Sequence, residues 1–404
     1  MLYIDNILFA IILIAGIGFF AQNVKKLKRN INLGRDVNRT DNSSARWKNM
    51  TMIALGQSKM VKRPIAAFLH LIVYVGFIII NLEVLEIIID GLFGTHRVFS
   101  KMGSFYGFLI GSFEVLAVLV LVAVAAFWIR RNVLSIGRFR STDLNGAPKK
   151  DANTILYFEV VLMSLFLIMN AFDLHFQDMN SGNIISQFLA PSPDTFSLEA
   201  VTIIERTAWW LHIVGILIFL NYLYYSKHLH ILLAFPNTYF ADLNAKGKFD
   251  NLESVTKEVK LMMDPNADPF AAQPVDENAV PSKFGASDVQ DLNWVQLLNA
   301  YTCTECGRCT SSCPANQTGK KLSPRKIMMD TRDRLEEVGK NMDANKGVFV
   351  PDGKSLLNDY ITTEELWACT SCNACVEECP VNISPLSIIM DMRRYLVMEQ
   401  SAAP

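Results

Sequence analysis

The sequence predicts an all-α chain in two parts: a five-span transmembrane helical bundle, then a smaller helical domain organised around cysteine. Three observations predict it. Five apolar runs fall within the first 230 of 404 residues. All eight cysteines fall in two short runs far downstream of them. Each cysteine run is followed by Ser-Pro and a helix-forming stretch.

The apolar runs lie at about 4–22, 65–89, 105–129, 154–174 and 207–229. Each is near the ~20 residues a helix needs to cross a bilayer. The hydrophobic content of 51% agrees. The first run has no basic region before it; Asp5 lies there instead, and the basic cluster Lys25–Arg29 follows it. That order reads as a retained span with the N-terminus outside, rather than a signal peptide. Residues 23–63 carry eleven Lys or Arg against two acids, and residues 130–153 carry six against two. The opposite loops hold only Arg97 and Lys101. Seventeen basic residues against two predict an inward-running fifth span and a cytoplasmic C-terminal domain, in a bacterial inner membrane.

The chain divides into residues 1–234, a linker at 235–289 and a cysteine domain at 290–404. The stretch 270–287 is rich in Pro, Ala and polar residues and reads as linker, while 248–264 reads as a short surface helix. The net charge of −1 and the lack of a basic aromatic stripe give no reason to expect nucleic-acid binding. There is no nucleotide-binding glycine fingerprint and no nucleophile–base pair.

Cys303, Cys306, Cys309 and Cys313 form one run; Cys369, Cys372, Cys375 and Cys379 form the other. Both read C-x2-C-x2-C-x3-C-P. In that bacterial ferredoxin spacing three cysteines hold one [4Fe–4S] cluster and the fourth reaches the other. A loop turning back on itself can aim three thiolates at one face of a cube. Disulfides fit poorly, because cysteines this close pair badly. Structural zinc takes C-x2-C pairs further apart. The crossed rule predicts one cluster on Cys303, Cys306, Cys309 and Cys379, and a second on Cys369, Cys372, Cys375 and Cys313. Fifty-five residues separate Cys313 from Cys369. The stretches 323–339 and 384–400 each open with a Ser N-cap and Pro at the first helical position. Gly339 is the expected stop of the first. The repeat suggests duplication and an α-helical ferredoxin domain.

The six histidines are His70, His96, His175, His212, His228 and His230. His212 and His230 are 18 residues apart, which in one continuous helix over 206–231 puts both on one face, roughly 27 Å apart. His228 would lie about 200° around from His230. Intramembrane histidines default to function. His70, near the inner end of the second span, matches His230 in depth, so the pair is the expected bis-histidine site of a b-type haem, with His228 the rival ligand. Glu83, Glu86, Glu114 and Glu159 are the carboxylates of the spans, with Glu86 and Glu114 the first choices for taking a quinol proton.

The stretch HIVGILIFLNYLYYSKHLHI resembles the fifth span of the membrane γ subunit of respiratory nitrate reductases, over about 1–234. That family has His, then Gly three residues on, and Ser-Arg/Lys-x-x-His-Ile closing on a second His 18 residues after the first. Its second span carries two histidines ten residues apart. The resemblance implies an inner haem on His70 and His230. Ile80 stands where the outer haem's ligand would be, so His212 lacks a partner on that span; His175 is a weak substitute. Residues 290–404 are similar to the dicluster domain of heterodisulfide-reductase-like proteins and of glycolate oxidase or anaerobic glycerol-3-phosphate dehydrogenase iron–sulfur subunits. The joined arrangement resembles membrane-bound Fe–S oxidoreductases of that group, some of which reduce menaquinone with electrons from electron-transfer flavoprotein. Members often continue into a cysteine-rich CCG domain, absent before Pro404.

The expectation is a membrane electron relay between the quinone pool (menaquinone or another quinone) and a cytoplasmic partner, through haem b and two [4Fe–4S] clusters. A separate CCG-domain or flavoprotein subunit would be that partner, docking near Trp367 and residues 330–340. Two rivals are a redox sensor or scaffold that binds clusters without turnover, and an iron–sulfur subunit anchored by haem-free spans.

Overall fold

The computed structural model describes residues 3–134, 136–192, 194–266 and 283–404. Helices dominate, and among the described residues β-structure is limited to two isolated bridges. Five helices are long and apolar enough to cross a membrane. They are α1 (Ile4–Ile31), α3 (Pro64–Phe93), α4 (Ser104–Asn132), α5 (Ala147–Phe172) and α6 (Leu198–Tyr222), with α2 (Ser43–Met50) between the first two. All five expected spans are present.

The chain forms two compact units that are not contiguous in sequence: Met1–Lys25 with Met60–Leu229, and Lys26–Lys59 with His230–Pro404. The domains drawn from sequence were contiguous; here residues 26–59 and 230–234 belong with the cysteine-bearing unit.

In the first unit α3 packs on α4, and α5 packs on both α4 and α6. Proline opens α3 at its first turn, where no helical N–H partner is lost. Gly94, at φ 69°, closes it. Beyond Gly94 a polar knot ties the loops to the helices. The Arg97 guanidinium donates to Asp173 (2.6 Å), Asn170 (2.8 Å) and Tyr106 (3.2 Å) and lies 4.1 Å over the Phe176 ring. A buried cation survives only with such partners.

In the second unit α7 (His230–Tyr239) and α8 (Trp294–Thr302) pack together. Then come α9 (Arg308–Ser311), α10 (Pro324–Ala344), α11 (Ala374–Glu378) and α12 (Pro385–Met398). Both Ser-Pro starts form as expected. Ser323 accepts from the Lys326 N–H and Ser384 from the Ser387 N–H, with proline next in each case. Gly339 does not end α10, which continues to Ala344. The glycine serves close approach instead: a Cβ there would lie 2.5 Å from the Asn30 side chain. The expected short helix at 248–264 forms over Glu253–Met263. Most of the expected linker at 270–287 lies outside the described residues; its last residues are ordered, with Ala286 N–H donating to Asp391 O.

Residues 26–59 are held by specific bonds. Arg35 N–H donates to Leu292 O (2.7 Å), and Trp294 N–H returns to Arg35 O (3.1 Å). Arg46, almost fully buried, donates to the carbonyls of Asp41, Tyr239 and Ala241. Gly34 lets the two strands of chain meet, since a Cβ there would sit 2.6 Å from the Trp294 nitrogen. Gly34→Ala is therefore expected to destabilise the protein by about 1–3 kcal/mol, as overpacking does. Gly18, with nothing within 4 Å of a built Cβ, should tolerate alanine within about 0.5 kcal/mol. Thermal unfolding of the detergent-solubilised chain measures both, and equal effects would contradict the packing.

Candidate functional sites: the cysteine loops and a polar cavity

Each cysteine run is built the same way. Cys303 follows α8, whose N-terminus is locked by reciprocal bonds between Asn293 and Gln296. The loop then passes through left-handed residues at Glu305 (φ 55°) and Gly307 (φ 72°) before α9 carries Cys309. Cys369 follows the short helix Thr363–Trp367. Left-handed residues recur at Ser371 (φ 56°) and Asn373 (φ 61°) before α11 carries Cys375. These are the second and fourth positions after the first cysteine in both runs. Two left-handed residues in so short a stretch curl the backbone, which lets successive side chains face one interior. Neither Glu305 nor Ser371 would be chosen for that conformation by type, so spacing was the only sequence signal for it.

The helices α9 and α11 pack on each other, and so bring the two runs together across their separation in sequence. One hollow is lined by Cys303, Cys306, Cys309, Cys375 and Cys379. Burial pushes the Cys309 thiol well up, and Cys306, Cys303 and Cys379 are the neighbours that add most. Burial raises Cys379 to about 11, and Cys306 is the neighbouring thiol that adds most. Burial also raises Cys375 to about 12, followed by Cys369, Cys313 and Cys372. Cys379 of the second run thus lies with Cys303, Cys306 and Cys309 of the first, and Cys375 lines the same hollow. Among the described residues no three His, Cys, Asp or Glu groups lie close enough to share one metal ion; five cysteines surround a hollow instead. Backbone N–H groups aim at sulfur, from Ser371 to Cys369 (3.4 Å) and from Ile383 to Cys379 (3.3 Å). With such raised thiols, any metal taken up must displace protons.

The histidines are placed less simply. The continuous helix expected over 206–231 is interrupted. It ends at Tyr222, passes through a 3-10 turn at Leu223–Tyr225, and becomes extended at Ser226 (φ −111°, ψ 150°). A second turn at Lys227–Leu229 leads into α7, which His230 opens. The break is polar: Asp151 accepts from Tyr222 O–H (2.8 Å) and Lys227 N–H (3.2 Å), Lys227 Nζ donates to Pro148 O, and His228 N–H donates to Ser226 Oγ. The phase argument that put His212 and His230 on one helix face, and His228 off it, therefore does not hold. His70 is half-buried on α3, its ring parallel to that of Tyr74. His230 and His70 belong to different compact units. His96 and His175, which no sequence pattern joins, have ring centroids 5.4 Å apart, and His96 Nε2 lies 3.1 Å from Asp173.

His212 is 1% exposed, with the Leu162 backbone as its polar neighbour, and among the described residues neither ring nitrogen makes a hydrogen bond of good geometry. Its Nε2 lies 3.9 Å from Glu83 Oε2, which among the described residues is also without a hydrogen bond. Glu83 lines a cavity of about 390 Å³ within the first unit, with Glu86, Asp90, His96, Arg97, Trp209 and Trp210. Phe9 packs against both tryptophans and completes an aromatic wall. Of the two carboxylates favoured from sequence, Glu114 is occupied by Asn170 and by the N–H groups of Ile185 and Ser186. Glu86 accepts from Phe99 N–H and Tyr106 O–H. Both tie loops to helices. Glu83, named from sequence but ranked behind those two, has its buried Oε2 unpaired among the described residues.

Residues 298–383 match the 4Fe-4S dicluster domain family. The chain is 27% identical to "Probable iron-sulfur-binding oxidoreductase FadF" of Bacillus subtilis, over 98% of this chain and 56% of that protein. It is 25% identical to "EtfAB:quinone oxidoreductase" of Syntrophomonas wolfei, over 91% of this chain and 51% of that protein. Over 26% of its length it is 35% identical to one subunit of the ferredoxin/F(420)H(2)-dependent CoB-CoM heterodisulfide reductase of Methanosarcina acetivorans, covering 52% of that polypeptide. The chain spans about half the length of these curated relatives. No solved structure matches it.

Fold, loops and likenesses together point to one class: a helical chain with five helices long and apolar enough to cross a membrane, a stretch matching [4Fe–4S] dicluster domains, and similarity to iron–sulfur oxidoreductases. Within that class, the two relatives matched over nearly the whole chain are an iron–sulfur oxidoreductase and a quinone oxidoreductase by name.

The number of clusters and their crossing are open to direct measurement. Anaerobically purified protein should contain about eight non-haem irons and eight sulfides per chain, two cubes' worth. Cys313→Ser should disturb the cluster that Cys369→Ser disturbs, and spare the one that Cys379→Ser disturbs. About four of each, or the uncrossed pattern of damage, would contradict this arrangement.

Proposed function

We propose that the protein is a membrane electron relay between the quinone pool and a cytoplasmic redox partner. The meeting of the two cysteine runs carries this reading; in it Cys303, Cys306, Cys309 and Cys379 hold one [4Fe–4S] cluster, and Cys369, Cys372, Cys375 and Cys313 a second. Such clusters supply one-electron transfer; the protein sets ligation, burial and orientation. The buried thiols and the N–H groups aimed at sulfur fit that cargo.

Quinone exchange is supported by the cavity of the first unit. A quinone presents a flat ring and carbonyl oxygens that take up protons on reduction. Trp209, Trp210 and Phe9 offer aromatic faces, and Glu83 and Glu86 offer carboxyl oxygens. A b-type haem on His70 and His230 is supported by the Ser-Lys-x-x-His-Ile pattern and its likeness to the nitrate reductase γ subunit; His212 and His228 are the further candidates. The partner implied by the family resemblance is a flavoprotein or a CCG-domain redox protein; the relatives include an EtfAB:quinone oxidoreductase and a heterodisulfide reductase subunit by name. The reading in which clusters are bound without turnover predicts no response to quinol.

In the full chain, menaquinol analogue should reduce a low-spin haem. His70→Ala or His230→Ala should remove its α-band, and His96→Ala should leave it. Glu83→Gln should slow quinol-driven reduction at least tenfold with the α-band intact. An α-band unchanged in both ligand variants would exclude the haem assignment, and an unchanged rate in Glu83→Gln would exclude the cavity.

The loop charges support an outside N-terminus and a cytoplasmic cluster domain in a bacterial inner membrane. A reporter fused behind Pro404 should be active only in its cytoplasmic form; a periplasmic signal would reverse the topology.

A further inference from the structure

Lys59 belongs to neither cysteine run, yet it touches both. Its carbonyl oxygen accepts from the Arg308 guanidinium (3.4 Å), between Cys306 and Cys309. Its ammonium donates to Val376 O (3.2 Å) and Asn382 Oδ1 (2.9 Å), on either side of Cys379. The same Val376 carbonyl accepts from the Cys379 N–H. Lys59 therefore sits where the fourth cysteine of the second run meets the first run, and its charge is among those felt by Cys379.

It is not alone. Arg308 and Arg325 are 3% and 1% exposed and line the hollow that Cys303, Cys306, Cys309 and Cys379 share with Cys375. The acid on that side, Glu305, is already paired with Arg332 at 2.7 Å, and Asp333 lies 3.5 Å from the same guanidinium. Beside the second set the cation is Arg393, which donates to the carbonyls of Leu366 and Cys369 and lies over the Trp367 ring.

We propose that Lys59, with Arg308 and Arg325, is a potential-setting residue for the cluster on Cys303, Cys306, Cys309 and Cys379. This rests on the ligand sets proposed above. A four-thiolate cluster gains one negative charge on accepting one electron, so a cation held beside it favours the reduced form and raises its potential. The electron stays on the cluster until the redox partner takes it, and Lys59 keeps its proton throughout. The residue comes from the N-terminal half of the sequence, so the first cluster's potential depends on a segment outside its own ferredoxin-like repeat.

The test is a redox titration of the full chain followed by the electron paramagnetic resonance of each reduced cluster. Lys59→Gln should lower the midpoint of the first cluster, with a roughly threefold or greater fall in its reduced-to-oxidised ratio at a fixed potential. The second cluster should not move. Lys59→Arg should restore the wild-type value, and iron content should stay at the wild-type level in both. An unmoved midpoint with full iron content overturns the proposal. So does loss of the cluster in Lys59→Gln together with an unshifted midpoint in Lys59→Met or in protein reconstituted with iron and sulfide, which marks a clamp only. Cys379→Ser and Cys313→Ser identify the signals separately: a Lys59 shift on the signal that Cys313→Ser disturbs overturns the ligand sets, while leaving the effect of the charge itself measured.

Discussion

The packing of α9 on α11 is the contact on which the second unit depends. Each of these short helices carries the third cysteine of its run, and neither could hold a loop in place unaided; helices of four or five residues are far below the length that is stable alone. They are held by longer elements. The helix α10 packs on both α9 and α12, α11 packs on α12, and α8 lies against α7 and α10. The capped ends at Asn293, Ser323 and Ser384 start the long helices where they must start for the loops to meet. A gap of 55 residues between the runs is thereby no obstacle.

The first unit meets a different constraint. Its helix faces are apolar, so polar groups at the loop end must satisfy one another. Arg97 gathers Asp173, Asn170 and Tyr106; Tyr106 passes to Glu86, and Asn170 to Glu114. This chain of bonds ties α3, α4 and α5 to the loops that follow α3 and α5. Burying so many polar atoms is tolerable because nearly all are paired, and the exceptions then stand out. His212 and Glu83 are such exceptions, and Glu83 faces the cavity.

What the sequence made legible follows from these constraints. Apolar runs of span length report themselves by composition, and the Ser-Pro starts report themselves by local chemistry, so spans and helix origins could be read directly. Cysteine spacing reported the loops, although not the left-handed residues that shape them. Three features stayed hidden. The helix break at Ser226 depends on Asp151, 75 residues upstream, and no local pattern marks it; the break removes the phase argument for His212 and His230. Gly339 looks like a helix stop until Asn30 is seen against it. Glu86 and Glu114 look like free intramembrane acids until their N–H and O–H donors are in place.

In the segment 26–59 one set of residues answers two constraints. Its basic residues are the clearest orientation signal in the chain. Some of those same side chains are also fixed structurally: Arg46 ties together three carbonyls, and Lys59 spans the two cysteine loops. A charge count cannot separate a lysine that only biases topology from one that is bonded into a core. The distinction lies in distant partners, more than 150 positions away in the sequence for two of the Arg46 acceptors and more than 240 for the groups that meet Lys59. The proposed topology would keep positive charge at the inner side of a membrane, and the proposed cluster site would use one of those charges, Lys59, which is bonded to both cysteine loops.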